Sequence, residues 1–288
     1  MKNFKWLIKA SRLTLRFLGF CLLLLCCALV YAKYIEPDWI DINSLQVTLP
    51  HLSAEFNGYR IVQISDIHRD TRWMSQKRFR NIISLVNQQK PDLIAITGDF
   101  VTQYSPSIIP TLKFDLKRFI AKDQTVAVLG NHDYRNNYKA IIQAIEESGI
   151  LYLKNDFYTI RRGSSMLHIA GADDIWYGEP RLDLILKQLS NEGAAILLAH
   201  EPDFADSSAA TNRFDLQLSG HSHGGQIRLP FITELFLPVL GKKYYSGRYQ
   251  VGNMIQYTNR GLGMIGIYMR FAARPEITVF TLVTPNKP

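Results

Sequence analysis

A chain of 288 residues that is 47 % hydrophobic and 20 % charged can bury one sizeable core, so a folded domain is expected. Its net charge of +8 points to a nucleic-acid binder only until it is located: Lys2, Lys5, Lys9, Arg12 and Arg16 precede the first acid, Glu36, and the remaining 28 basic against 25 acidic residues leave +3. With no basic run interleaved with aromatics beyond residue 33, neither a nucleic-acid partner nor a nuclease groove is expected.

The first element is the uncharged stretch "FLGFCLLLLCCALVYA" at 17–32, preceded by those five cations and followed by Lys33. Its 16 residues fall between a signal-peptide core and the roughly 20 residues of a spanning helix. Val30, Tyr31 and Ala32 resemble a small-x-small cleavage site, whereas residues 13–15 extend the span if Arg16 snorkels. An uncleaved anchor at 1–33 is preferred to a cleaved signal, and a buried core helix is disfavoured because no polar residue recurs at helical spacing. The positive-inside rule then puts the N-terminus of a single-pass protein of a bacterial-type inner (plasma) membrane in the cytoplasm and the domain at 34–288 outside; the cytoplasmic face is the alternative. Cys21, Cys26 and Cys27 all lie in this segment, so no disulfide or cysteine-ligated metal is possible beyond it.

After a short linker containing "YIEPDWIDI", strand-like and helix-like runs alternate, which predicts an α/β core. Strands are expected at 60–65, 93–97, 125–129, 195–199 and 216–219, with further strand-like runs at 254–257 and 277–283. Ser75 caps a helix whose Phe79, Ile82, Ile83 and Val86 share a face and which ends before Pro91. Helical periodicity recurs at 108–121, 138–148 and 180–190. The apolar loop "PFITELFLPVLG" is expected to pack against the core rather than line an acyl pocket or dip into lipid.

Five of these strands end in metal-competent clusters. "RIVQIS" runs into Asp66 and His68, "LIAIT" into Gly98 and Asp99, and "VAVL" into Gly130, Asn131, His132 and Asp133; "AILLA" delivers His200, and "LQLSG" delivers His221 and His223. Loops at the carboxyl ends of strands gather at one edge of an open sheet, so these groups are expected to converge. Singly, each has an ordinary explanation as a turn, a cap or a hydrogen-bonded core histidine. Jointly they do not, for of seven histidines only His51 and His168 fall elsewhere. Oxygen and imidazole donors without thiolate suit Mn²⁺, Fe or Zn²⁺. Seven candidate ligands exceed the needs of one ion, whereas two ions about 3.5–4 Å apart, sharing a carboxylate, would clamp the attacking and leaving oxygens at phosphorus.

The order DxH, GD, GNHD, H, GHxH resembles the calcineurin-like metallophosphoesterase superfamily. "EPDWIDI", "GADDIW", "LLAHEPD", "GHSHGGQIRLP" and "NRGLG" extend the similarity, over residues 36–282, to the membrane-associated YaeI/YkuE-type phosphodiesterases. The resemblance implies a four-layer α/β/β/α sandwich with a dinuclear site at one edge. It implies Asp66, His68 and His223 on one metal, Asn131, His200 and His221 on the other, and Asp99 bridging, with Mn²⁺ favoured over Fe or Zn²⁺. It also implies His132 as a catalytic donor to the phosphate or leaving group, with Asp133 beside it orienting a neighbour. Arg260 in "TNRGLG" is expected to contact phosphate, or else to be a solvated loop arginine.

The implied activity is a metal-dependent phosphodiesterase or pyrophosphohydrolase, in which a metal-bridging hydroxide attacks phosphorus in a substrate near the membrane and open to being lipid-linked. Some relatives hydrolyse UDP-2,3-diacylglucosamine in lipid A synthesis, a sharper alternative. It is weakened by the outward topology and by His132, where the widespread lipid A hydrolase carries Arg. A non-catalytic metal-binding scaffold is the other alternative, but no ligand is lost here. "GDFVTQ" departs from the GDxVDRG of protein Ser/Thr phosphatases, Thr102 stands where purple acid phosphatases have Tyr, and Arg12 and Arg16 form no twin-arginine signal.

Overall fold

Side-chain alternation along the strands sorts the chain into four layers. The computed structural model describes residues 2–103 and 107–285, with backbone alone for 2–10. The side chains of Lys2, Lys5 and Lys9, and residues 286–288 of the expected domain, lie outside the described residues. In chain order the elements begin α1 (Lys2–Val30), β1 (Asp41–Thr48), β2 (Arg60–Ile64), α2 (Gln76–Gln88), β3 (Leu93–Thr97), α3 (Ile108–Leu116), β4 (Gln124–Val128), α4 (Asn131–Tyr134) and α5 (Tyr138–Glu146). There follow β5 (Leu151–Tyr152), β6 (Asp156–Arg162), β7 (Ser165–Gly171), α6 (Leu182–Gln188), β8 (Ala194–Leu198), α7 (Ala205–Ala209), β9 (Leu216–Ser219), α8 (Thr233–Phe236), β10 (Gly247–Val251), β11 (Met254–Thr258) and β12 (Glu276–Val283).

One sheet runs β1-β12-β2-β3-β4-β5 and the other β10-β11-β9-β8-β7-β6. Alternate residues of each strand face opposite layers. Ile61, Leu93, Ala95 and Val126 meet Ala194, Ile196, Leu198 and Leu216 between the sheets. Val62, Ile64, Ile94 and Ile96 pack outward on Phe79, Ile82, Leu112 and Ile141 of α2, α3 and α5. Ala195 and Leu197 pack outward on Ile185 and Ala205 of α6 and α7. This is the expected α/β/β/α sandwich. Strands β2, β3 and β4 are mutually parallel, as are β8 and β9, so their carboxyl ends share one rim. Gln63 ties the sheets there, donating from Nε2 to Thr97 Oγ1 and to the Ser219 carbonyl.

Segment Ser11–Asp38 is long and apolar enough to cross a membrane, and its most apolar stretch is wholly unburied, unlike a core helix. The expected linker is docked on the domain. Glu36 is buried and accepts from the Ala272 and Ala273 amides at 2.9 and 2.5 Å, and Asp41–Thr48 forms β1, paired in parallel with β12. The pairing joins residues more than 200 positions apart, which no local pattern announces. The helix expected at 108–121 stops at Leu116. The β6/β7 hairpin has no counterpart among the expected strands.

The loop "PFITELFLPVLG" corrects an expectation. Leu237 is buried, but Phe231 is fully exposed, Leu235 is 80 % exposed, and Phe236 and Val239 are exposed by more than half. Most of the loop therefore stands off the core as a flap.

Candidate metal centre

Three of the five strand-end clusters reach the rim on a sharply turned backbone. Asp66, His68, Asp99, His221 and His223 all have φ between 48° and 70°, a region non-glycine residues rarely occupy, and such strain gathers at functional sites. Close approach requires glycine at two neighbours. A Cβ on Gly220 would collide with Ser65 and Asp66, and one on Gly130 with Asp99 and His200. The loops are laced together by backbone bonds, Asp66 N–H to Gly98 O and His68 N–H to Asp99 O, each 3.0 Å. The His221 N–H donates to Asp66 Oδ1 at 3.0 Å, binding the second sheet to the first.

The side chains converge accordingly. Ligand atoms of Asp66, His68 and His223 lie within 4.8 Å of one another, as do those of Asp66, Asp99 and His200. Asp99 Oδ2 is 3.5 Å from His68 Nε2 and 3.3 Å from His200 Nε2, while its Oδ1 accepts the His132 N–H at 2.9 Å. His223 Nε2 is 3.4 Å from Asp66 Oδ1 and 3.1 Å from His68 Nε2, and Asn131 Oδ1 is 3.0 Å from His221 Nδ1.

The donor set fits divalent cations on an internal observation. His200 Nδ1 donates to the Thr97 carbonyl at 2.7 Å, which leaves Nε2 turned toward the Asp99 carboxylate; that nitrogen is buried without a hydrogen-bond partner among the described residues. His221 Nε2 likewise donates to the Val239 carbonyl at 2.8 Å, which turns the Nδ1 lone pair onto the Asn131 oxygen. Carbonyls that fix a ring in this way are the usual support of metal-ligating histidines, and ring nitrogens held against oxygen at these distances are placed to share a cation.

Burial pushes Asp66 up to about 7 and His68 and His221 down to about 3. Burial would also raise Asp99, but the His200 imidazole beside it outweighs this and holds it well below the carboxylate range. Burial opposes charge on His200 too, yet Asp99 raises it well above the usual imidazole value.

Among the other expected residues, His132 is half-buried, with its ring edge-on to His68 at 5.0 Å, and burial lowers its pKa. It lines a cavity of about 390 Å³ together with Asp99, Asn131, His221 and His223. Asp133 does not line it. Its carboxylate accepts the amides of Phe100 and Gly130 at 2.9 and 3.1 Å, so it orients the loops carrying Asp99 and Asn131, the orienting role the resemblance implies, and is not itself a catalytic group.

Arg260 is corrected as well. Its Nε donates to Glu276 and its Nη2 to Asp41, both at 2.6 Å, so its fork is committed to carboxylates away from the cavity. Arg135, exposed and one turn beyond Asn131, lines the cavity instead, with Trp176, Phe236 and Ile267. Its place directly after "GNHDY" is the signal that could have found it.

A two-sheet sandwich that collects carboxylates, an amide and four imidazoles at the carboxyl ends of its strands defines a metallophosphoesterase. The chain belongs to the calcineurin-like phosphoesterase family, whose model matches residues 59–225. It is 36 % identical over 263 residues to the uncharacterized metallophosphoesterase YkuE of Bacillus subtilis (strain 168), covering 89 % of this chain and 90 % of that one. It is 30 % identical over 261 residues to the phosphodiesterase YaeI of Escherichia coli (strain K12), covering 88 % and 92 %. A transmembrane protein with a metallophosphoesterase domain from Danio rerio is 30 % identical over 260 residues, covering 85 % of this chain and 57 % of that one.

Proposed function

We propose that the protein hydrolyses phosphodiester or diphosphate bonds with two divalent cations, beside a membrane held by α1. The observation that carries this reading is Asp99 Oδ2, set between His68 Nε2 and His200 Nε2. Asp66, His68 and His223 would hold one cation and Asn131, His200 and His221 the other, with Asp99 shared; Mn²⁺ suits the donors best, and Fe or Zn²⁺ also fit. Bound there, such cations neutralise phosphoryl oxygens and make water acidic enough to supply hydroxide near neutral pH. His132, in the cavity wall, donates a hydrogen bond to a phosphoryl oxygen or a proton to the departing oxygen. Arg135 holds the phosphate or its leaving group at the mouth with its planar fork. Thr97 and Val239 carbonyls keep His200 and His221 turned toward the centre.

The five N-terminal cations favour a cytoplasmic N-terminus, with the domain on the outer side of a plasma-type membrane. A UDP-2,3-diacylglucosamine pyrophosphohydrolase is the second reading, supported by the apolar cavity wall of Phe236, Pro238, Ile265 and Ile267. The deciding assay uses protein stripped with chelator and reloaded with Mn²⁺, offered bis-p-nitrophenyl phosphate or the lipid nucleotide. Turnover restored by metal is expected; turnover indifferent to chelation overturns the proposal, and exclusive use of the lipid nucleotide selects the second reading.

A further inference from the structure

The root of the exposed flap is linked through one intervening loop to the end of the apolar helix. That root is pinned by the Arg228 N–H to the Phe271 carbonyl at 2.8 Å and the Phe271 N–H to the Gln226 carbonyl at 3.0 Å. The adjoining Arg270 N–H donates to the Ala32 carbonyl at 2.9 Å, and the Phe271 ring lies edge-on to Tyr31 at 6.3 Å. Helix end, Arg270 loop and flap root are therefore neighbours, joined in turn by backbone hydrogen bonds. Tyr34 and Trp39, both more than half exposed, and Lys33 follow the apolar stretch, the amphipathic residues that sit at a membrane–water boundary.

From this root the flap projects Phe231, Ile232 and Leu235 into solvent, apolar side chains left in water by the fold. Phe236 and Pro238 at its inner side line the same cavity as Asp99 and His132, and Ile265 and Ile267 face them from the loop that leads to Arg270. Val239, which closes the flap, holds His221 through its carbonyl. One short segment thus joins an exposed apolar tip, an apolar cavity wall and the metal centre.

We infer that residues 229–239 form a lip that inserts into the bilayer beside α1, and that the cavity wall behind it takes the hydrocarbon chain of a membrane-borne phosphoester. This rests on the membrane reading given above. Continuity with the helix end commits the lip to lipid, since its root is linked through one loop to the end of the helix that the bilayer receives. Apolar side chains at such a boundary settle about 5–10 Å into the headgroup and acyl region.

The test uses the full-length protein in vesicles of phosphatidylcholine and phosphatidylglycerol. Phe231→Trp should gain tryptophan emission over the native background that lipids brominated on their acyl chains quench. The double variant Phe231→Asp, Leu235→Asp should keep its turnover of soluble bis-p-nitrophenyl phosphate within about twofold. Its turnover of p-nitrophenyl hexadecyl phosphate carried in the vesicles should fall about tenfold or more.

Vesicle-bound Phe231→Trp protein whose added emission escapes quenching, or equal losses on both substrates in the double variant, overturns the lip while leaving the anchor standing. Failure of the wild-type chain to stay with the vesicles overturns the membrane reading and the lip together. The quenching measurement needs no turnover, so it separates both results from a failure of the hydrolase proposal.

Discussion

His221 Nε2 donates to the Val239 carbonyl across 2.8 Å, so the last residue of a solvent-exposed flap sets the tautomer of a candidate ligand in the cavity wall. Of that imidazole, only Nδ1 is then left to face Asn131 and the centre. The flap is coupled to the chemistry by this bond, and the metal centre cannot be described apart from it.

Asp99 accepts the His132 amide through Oδ1 and faces two imidazoles through Oδ2. Asp99→Ala should lower kcat/KM by on the order of 10³ or more, as loss of a main electrostatic support does. Metal content by plasma emission spectroscopy should fall with it. Near-native turnover in this variant would rule out a shared carboxylate.

His132 lines the cavity but belongs to neither cluster of close ligand atoms. His132→Ala should lower kcat by about 10²–10⁴ and leave the metal content of the purified protein unchanged. Loss of one metal per chain would instead make it a ligand.

The two arginines should separate cleanly. Arg135→Ala should cut kcat/KM by about tenfold with no change in thermal stability. Arg260→Ala should act the other way: it leaves the buried Glu276 carboxylate without its cation and costs about 2–4 kcal/mol, read by denaturant unfolding, with the metal-loaded rate little altered. A raised KM in the Arg260 variant at unchanged stability would return it to the substrate site.

Glu36 caps two amides between the helix end and the Arg270 loop. Glu36→Ala should destabilise the domain by about 2–4 kcal/mol, the sum of two donors left unpaired. Unfolding midpoints compared with Asp38→Ala, at an exposed ion pair, give the control; equal effects would mean that the linker is not docked in solution.

A topology reporter fused after Val283 should be active outside the cytoplasm and silent within, following the cations before residue 17. A cytoplasmic signal reverses the orientation and strengthens the lipid-nucleotide reading.

Much of this molecule is written locally. The runs ending at Ile64, Thr97, Val128, Leu198 and Ser219 show their strand character in sequence, and each is followed within a few residues by its metal-competent side chains, so fold class and donor chemistry could be read before any coordinates. Such signals are short-range, because strand pattern and turn chemistry depend on neighbours. What needed the folded chain was every choice among distant partners. Asp41 pairs with Glu276, Arg260 turns from phosphate to two carboxylates, Asp133 holds the backbone of two neighbouring loops, and the tip of the apolar flap is left in solvent. Those outcomes follow from which surfaces remain free after the two sheets have packed, and a residue's own neighbours in sequence carry no record of that.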